Sequence, residues 1–242
     1  MLQTAIALPP PYTLVTARSP DVLAEAAQLA PDSGAGTLVV YQGRAETGSP
    51  GLLSFAVVLE PEEALEQAQM AFLLGMTAVT DALAAHCPPE RPVRITWPDE
   101  IRYDKARLGG GRFAIAPKTK PDEVPDWMVF AAELIAYRDH LDAPGEHPDT
   151  TSLVEEAFDP AEEIVSTFAS YMMLYFDRWA HEGLEAVTNR YLMRIDPPLL
   201  RGVRRIEGDR IIEITPSGNR RHPPLMKALG STGWRSDQGP KL

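Results

Sequence analysis

The sequence is poor in the features that mark secreted, zinc-binding and membrane-spanning proteins. Cys87 is its only cysteine, which excludes an intrachain disulfide and a zinc site built from cysteines. Residues 1–11 have no basic segment followed by an apolar one, and no uninterrupted apolar run reaches the roughly 18 residues that a membrane span needs. We therefore expect a soluble, cytoplasmic protein that has no structural metal and does not bind membranes.

Positive charge is also scarce. Lys and Arg number 23 against 34 Asp and Glu, which gives a net charge of −11. This balance argues against sequence-independent binding of nucleic acid, because cations must neutralise the phosphates there. The basic residues are concentrated at the end of the chain, so that residues 200–242 carry about +5 and the rest about −16. The basic end could dock on the acidic body of its own chain or on a partner.

Hydrophobic periodicity and turn signals predict helices alternating with strands. Helices are predicted over residues 22–29, 61–86, 160–182 and 184–194, strands over 37–41, 52–59, 93–103, 108–116 and 127–137, and a β-hairpin over 201–215. The 127–137 segment is also long enough for a helix. This order predicts an α/β (α+β) fold, a mixed β-sheet backed by helices. We expect one domain over residues 1–195 and a small C-terminal β appendage and tail over 196–242.

Residues 93–116 are the most informative stretch of the chain. Apolar and polar residues alternate from 93 to 103, the chain can turn at 104–106, and residues 108–116 run back as a second strand. Three consecutive glycines lie in the returning strand. Glycine weakens a strand, so this run predicts either a bulge or a ligand that lies close against the backbone.

This hairpin resembles the signature of the biotin/lipoate protein ligase superfamily, in which one strand ends K-W-P-N-D and the returning strand reads R-K-L-x-G-I-L. The spacing matches without gaps at Trp97, Pro98, Asp99, Glu100, Leu108 and Gly110. Two lysines of the signature are replaced, one by Thr96 and the reactive-site lysine by Arg107. The resemblance extends over roughly residues 8–195 and implies a class II synthetase-like fold.

The resemblance also implies a chemistry. Such ligases join the carboxylate of biotin, lipoate or an octanoyl-type acid to AMP, using ATP and Mg²⁺, and then pass the acyl group to a lysine of a carrier domain. Cations and backbone N–H groups must offset the repulsion between carboxylate and phosphate. The residues implied here are Arg107 and Asp99 as catalytic residues and, as binding residues, Arg44, Gly48, Arg94, Thr96, Trp97, Gly109, Gly110 and Gly111.

The positive charge that this chemistry needs is reduced. Residues 41–51 stand where the family has a loop of the kind G-R-G-R-x-G-R; they keep Arg44 and glycines but gain Glu46, and could equally form a plain surface turn. The guanidinium of Arg107 does not replace an ammonium in shape or hydration. Three interpretations stay open: a divergent ATP-dependent ligase or acyltransferase; a non-catalytic module that binds a small carboxylic acid, an acyl-nucleotide or a carrier domain; and an unrelated α/β protein.

Overall fold

A seven-stranded mixed sheet forms the centre of the computed structural model, which describes residues 6–242. Its strands are β1 (Thr13–Thr16), β2 (Thr37–Arg44), β3 (Gly51–Leu59), β4 (Val93–Thr96), β5 (Glu100–Tyr103), β6 (Ala106–Ile115) and β7 (Met128–Tyr137). They lie in the order β1-β2-β3-β7-β6-β5-β4, in which β1 and β2 are parallel and the other neighbours antiparallel. The two central strands, β3 and β7, are mostly apolar because both of their faces are covered.

Helices cover the first face of this sheet. They are α2 (Leu65–Ala68), α3 (Ala71–Ala85), α4 (Ala161–Glu182) and α5 (Leu184–Arg194). α3 is buried along nearly its whole length because it packs against α4 and α5 as well as the sheet. The stretch Leu65–Ala85 is long and apolar enough to cross a membrane, but 89% of its most apolar window is buried inside the fold. Its apolar character is therefore that of a core helix.

The second face is covered in two parts. Helix α1 (Val22–Ser33) lies over β2, β3 and β7, and its Val22, Ala26 and Ala30 pack in one apolar cluster with Val39 and Ala131. The end of the chain approaches the other part through β8 (Val203–Glu207), β9 (Arg210–Thr215), β10 (Gly218–Arg221), α6 (Leu225–Leu229), β11 (Arg235–Ser236) and β12 (Gly239–Pro240). Residues 231–242, called the C-terminal segment below, lie on β6 and β7.

The fold class predicted from the sequence is confirmed, with differences of detail. The helix predicted over 61–86 is two helices, because the N–H groups of Met70, Phe72 and Leu73 bond to carbonyls three residues back and interrupt the α-helical pattern. α1 extends beyond the predicted 22–29 to Ser33, with Pro31 inside it, and ends at Gly34, whose φ is 76°. The 201–215 hairpin has a third strand, β10. The domain boundary at residue 195 stays a prediction.

Asp81 joins the three long helices of the first face. Its carboxylate, 2% exposed on α3, accepts hydrogen bonds from Tyr175 of α4 and from Arg190 (2.5 Å) and Arg194 (2.6 Å) of α5. Burial alone would raise the pKa of Asp81, but these hydrogen bonds outweigh it and hold the pKa below its usual value. The carboxylate is therefore ionised and fully paired at neutral pH.

We expect Asp81→Ala to lower the free energy of unfolding by about 3 kcal/mol, because it leaves Tyr175 and two arginines without their shared acceptor. Urea unfolding at pH 7 measures this. The control is Asp177→Ala, an exposed aspartate on α4, which should change the free energy of unfolding by less than about 0.5 kcal/mol. Equal effects of the two substitutions would contradict the role assigned to Asp81.

Candidate ligand site

Each of the three glycines of β6 lies against a different close neighbour. A Cβ on Gly109 would lie 2.0 Å from the carbonyl oxygen of Glu133, and one on Gly111 would lie 2.3 Å from the sulfur of Met76. A Cβ on Gly110 would lie 2.4 Å from the indole of Trp234. The pairing of β5 with β6 also shifts register between Ile101 and Arg102. The bulge predicted from the glycine run is therefore present, and an indole of the chain itself lies against the glycine backbone.

The C-terminal segment is held on this face by contacts along its length. Trp234 is 1% exposed. The hydroxyl of Thr232 donates to the carboxylate of Asp99, and the backbone N–H of Lys241 donates to the carbonyl of Trp234 (2.9 Å). The carbonyl of Lys241 in turn accepts from Arg107 (3.1 Å). The segment thus covers β6 from Gly110 to Arg107.

Glu133 lies at the centre of the covered face. It is 2% exposed, and its backbone pairs with Gly110 across β6 and β7. Its carboxylate accepts from Arg112 of β6 and from Arg235 of the C-terminal segment (3.1 Å), and Arg112 also bonds to Asp21 at the start of α1 (2.7 Å). The buried carboxylate of Glu133 is therefore linked to α1 through Arg112 and Asp21, and to the C-terminal segment through Arg235.

Arg107, the residue at the reactive-site position, is also paired within the chain. Its Nε donates to Glu100 (3.0 Å), and Arg102 bonds to the same carboxylate oxygen (2.7 Å). Arg107 also donates to the carbonyl of Lys241. Its guanidinium is therefore bound to one carboxylate and one carbonyl of the same chain.

Asp99 is buried in the turn between β4 and β5, 4% exposed. Burial raises the pKa of its carboxyl to about 6, although the hydroxyl of Thr232 and the nearby indole of Trp234 favour the charged form. The indole N–H of Trp234 points into this region without completing a hydrogen bond. The backbone carbonyl of Asp99 accepts from Gly111 (2.8 Å), which fixes the turn on the glycine strand.

The structure brings only part of the predicted site together. Asp99, Arg107 and the three glycines meet under the C-terminal segment. Trp97 lies apart from the glycines, since its ring packs edge-on against Tyr191 of α5 (6.0 Å) and His222 (6.4 Å). Thr96 pairs with Glu100 in the hairpin, and Arg94 donates to the carbonyl of Met193 (3.2 Å).

The loop between β2 and β3 forms another edge of the site. Arg44 is bound to Asp139 and to the carbonyl of Ser49 (2.9 Å), and it lies 4.8 Å above the ring of Tyr137. Gly48 is exposed, with a φ of 85° that favours glycine. Between this loop and the C-terminal segment a cavity of about 210 Å³ remains, lined by Asp21, Glu46, Leu52, Glu133, Arg235, Asp237 and others.

Four of these residues, Arg112, Glu133, Trp234 and Arg235, were not predicted from the sequence. Glu133 could have been identified from the sequence, because it is the one charged residue in the strand Met128–Tyr137. A lone charge in a buried strand needs a partner. Trp234 could not have been identified in this way, since it stands in a short polar stretch with no periodicity.

A possible set of metal ligands lies on the other face. His86, Asp159 and Glu163 offer ligand atoms within 4.8 Å of one another. Both ring nitrogens of His86 already have partners, Asp159 at 2.9 Å and Thr167 at 2.7 Å. The Asp159 backbone N–H also bonds to the carbonyl of His86 (3.0 Å). These contacts tie the end of α3 to the start of α4, which explains the cluster without a metal.

The sheet, the hairpin and the glycine strand together form a ligase-like fold. A family model, the biotin/lipoate A/B protein ligase family, matches residues 8–193, and the chain belongs to that family. Comparison with curated proteins gives no match.

Solved structures agree with this assignment. A biotin protein ligase-like protein of unknown function from Silicibacter sp. TM1040 is 26% identical with a TM-score of 0.72, covering 93% of this chain and 99% of that one. The biotin protein ligase of Aquifex aeolicus in complex with biotin and ATP is 16% identical with a TM-score of 0.60, covering 87% and 95%. At that identity the Aquifex protein shares the fold.

The buried carboxyl of Asp99 predicts a pH dependence. A folded-state pKa raised from 3.8 to about 6 means that the folded protein holds its proton longer, so this group lowers stability as pH rises from about 4 to 6, by up to about 3 kcal/mol. Asp99→Asn removes the titration and keeps an acceptor for Thr232.

We expect Asp99→Asn to equal the wild type at pH 4 and to be the more stable protein at pH 8, measured by urea unfolding. The control is Asp104→Asn, an exposed aspartate of the same hairpin, which should follow the wild-type curve. Parallel curves for the wild type and Asp99→Asn would contradict the burial of this carboxyl.

Proposed function

We propose that this protein is a non-catalytic ligase-fold module that binds an acyl group of the biotin or lipoate class and does not activate it with ATP. One observation carries the proposal. Five arginines around the glycine strand are each bound to a carboxylate of the chain, namely Arg44 to Asp139, Arg102 and Arg107 to Glu100, and Arg112 and Arg235 to Glu133. The positive charge of these five arginines is therefore neutralised by carboxylates of the same chain.

Adenylation needs that charge for the substrates. A carboxylate that attacks an anionic phosphate must be brought to it by preorganised cations. If the reactive-site lysine contributes about 3 kcal/mol, its loss alone costs on the order of a hundredfold in rate. Arg107 is bonded to Glu100 through its Nε, so if Arg107 took the place of that lysine, Glu100 would put a negative charge beside the reacting groups.

The same argument bears on the form of the ligand. The cavity beside the C-terminal segment is lined by three acidic side chains that lie outside the segment, Asp21, Glu46 and Glu133, and displacement of the segment takes Arg235 away from Glu133. A free carboxylate would be repelled there, whereas the neutral amide of an acylated lysine would not. We therefore favour an acyl-lysine, such as a carrier domain presents, over the free small carboxylic acid.

An active ligase is the second candidate, and one observation favours it. Lys241 lies next to Arg107, to which its carbonyl is bonded, so the C-terminal segment brings a lysine close to the position where the family lysine is missing. Its ammonium bonds to the carbonyl of Gly233 (2.9 Å), a neutral partner that a phosphate could replace. In this case ATP and Mg²⁺ would be needed and Lys241 would be a catalytic residue.

Pyrophosphate exchange separates the two candidates. With ATP, Mg²⁺ and biotin, lipoate or octanoate, we expect no exchange above background for the wild type, and none for Arg107→Lys, which restores the family residue. The matched variant is Lys241→Ala. Exchange by the wild type that Lys241→Ala abolishes would establish the ligase and end the non-catalytic proposal.

Binding is measured by calorimetry. We expect at least one of Nε-biotinyl-, Nε-lipoyl- and Nε-octanoyl-lysine to bind at least tenfold more tightly than its free acid, because the amide has no charge for the acidic cavity to repel. The measurement uses the full chain with Trp234→Ala, in which the glycine strand is uncovered. Heat from none of the six compounds, with folded protein, would contradict the proposal.

A further inference from the structure

The C-terminal segment is bound to the sheet in the manner of a ligand. An aromatic ring lies on a glycine backbone, where Trp234 covers Gly110. A cation, Arg235, pairs with a buried carboxylate, Glu133. The last contact is the carbonyl of Lys241 on Arg107. These are the contacts by which a short peptide with an aromatic side chain followed by a cationic one is held on this face.

Two features of the docked C-terminal segment are unfavourable, as expected for a contact that another molecule can displace. The indole N–H of Trp234 is buried and lies near the carboxylate of Asp99 without the geometry of a hydrogen bond to any group of residues 6–242. Such a group costs free energy when it leaves water. Asp99, which accepts from Thr232, is a buried carboxyl next to Glu100 and faces the phenol of Tyr191 as well as the tail. The segment is therefore held by specific contacts that are offset by two unfavourable ones.

We propose that the face of β6 and β7 around Gly110 and Glu133 is a peptide-binding site, occupied in cis by residues 231–242 through the Trp234–Arg235 pair. The occupant covers the glycine strand, so that binding of any other molecule there requires its displacement. The peptide site itself does not depend on the proposed acyl-lysine ligand; only the competition between the two rests on the proposed function.

A peptide added in trans tests the site directly. In the full chain, Trp234→Ala removes the ring that covers Gly110, and we expect a fluorescein-labelled peptide of residues 231–242 to bind this variant at least tenfold more tightly than the wild type, measured by anisotropy. The wild type should bind the peptide more weakly because its own C-terminal segment competes for the site at a high effective concentration. The same peptide with the Trp234→Ala change should bind the variant at least tenfold more weakly.

Hydrogen exchange provides the second measurement. The backbone N–H of Lys241, bonded to the carbonyl of Trp234, should lose at least tenfold in protection in Trp234→Ala. The control is Val187→Ala, a buried core change on α5, which destabilises the fold at a distance from the segment and should leave this protection relative to global unfolding unchanged. Thermal unfolding confirms that both variants are folded.

The outcomes separate this inference from the proposed function. Peptide binding to Trp234→Ala without binding of any acyl-lysine supports the peptide site and contradicts the acyl ligand. If an acyl-lysine binds but the peptide has equal affinity for the wild type and the variant, the acyl ligand is supported and the peptide site is contradicted. Equal binding of the two peptides, or an unchanged Lys241 protection, would overturn the proposal that Trp234 holds the segment in this site.

Discussion

The contact between the indole of Trp234 and the backbone of Gly110 is the constraint on which the second face depends. A Cβ at residue 110 would lie 2.4 Å from the ring and 2.5 Å from the backbone oxygen of Asp99, so glycine is needed both for the turn at Asp99 and for the C-terminal segment to lie on β6. With the ring in place, Arg235 reaches Glu133 and the carbonyl of Lys241 reaches Arg107. The close approach at Gly110 therefore allows the polar groups of this face to pair as they do.

Paired charge is the physical basis of the proposal that this ligase fold binds without activating a substrate. Glu133 sits in the middle of an apolar strand and is 2% exposed, which is costly unless cations surround it. Arg112 and Arg235 meet that need from two sides. A cation that stabilises a buried carboxylate cannot also stabilise a phosphate, because releasing it would leave the carboxylate unpaired. The stability of the face and catalysis on it therefore compete for the same guanidinium groups.

Local patterns made the fold predictable, and the site was predictable only in part. The resemblance of the hairpin to the family signature implied Asp99 and Arg107, the glycine run was visible in one strand, and periodicity predicted the core helices, because these signals lie within one or two elements. The partners of the arginines are far apart in sequence, as Arg44 and Asp139 are, and no local pattern encodes them. The opposite charges of the tail and the body indicated that they could associate, but the position of Trp234 depends on a surface that exists only after folding.

The C-terminal region divides into an anchored part and a peripheral part. Ile211 and Leu225 belong to the main apolar core together with residues of α3 and α4, so β9 and the start of α6 cannot leave without disrupting it. Trp234 packs against a glycine and a turn rather than within that core as described for residues 6–242. Under the proposed peptide site, loss of the contacts beyond residue 230 would expose the face of β6 and β7 without removing a residue of the main core. Trp234, 1% exposed, would then be the residue that controls access to the site.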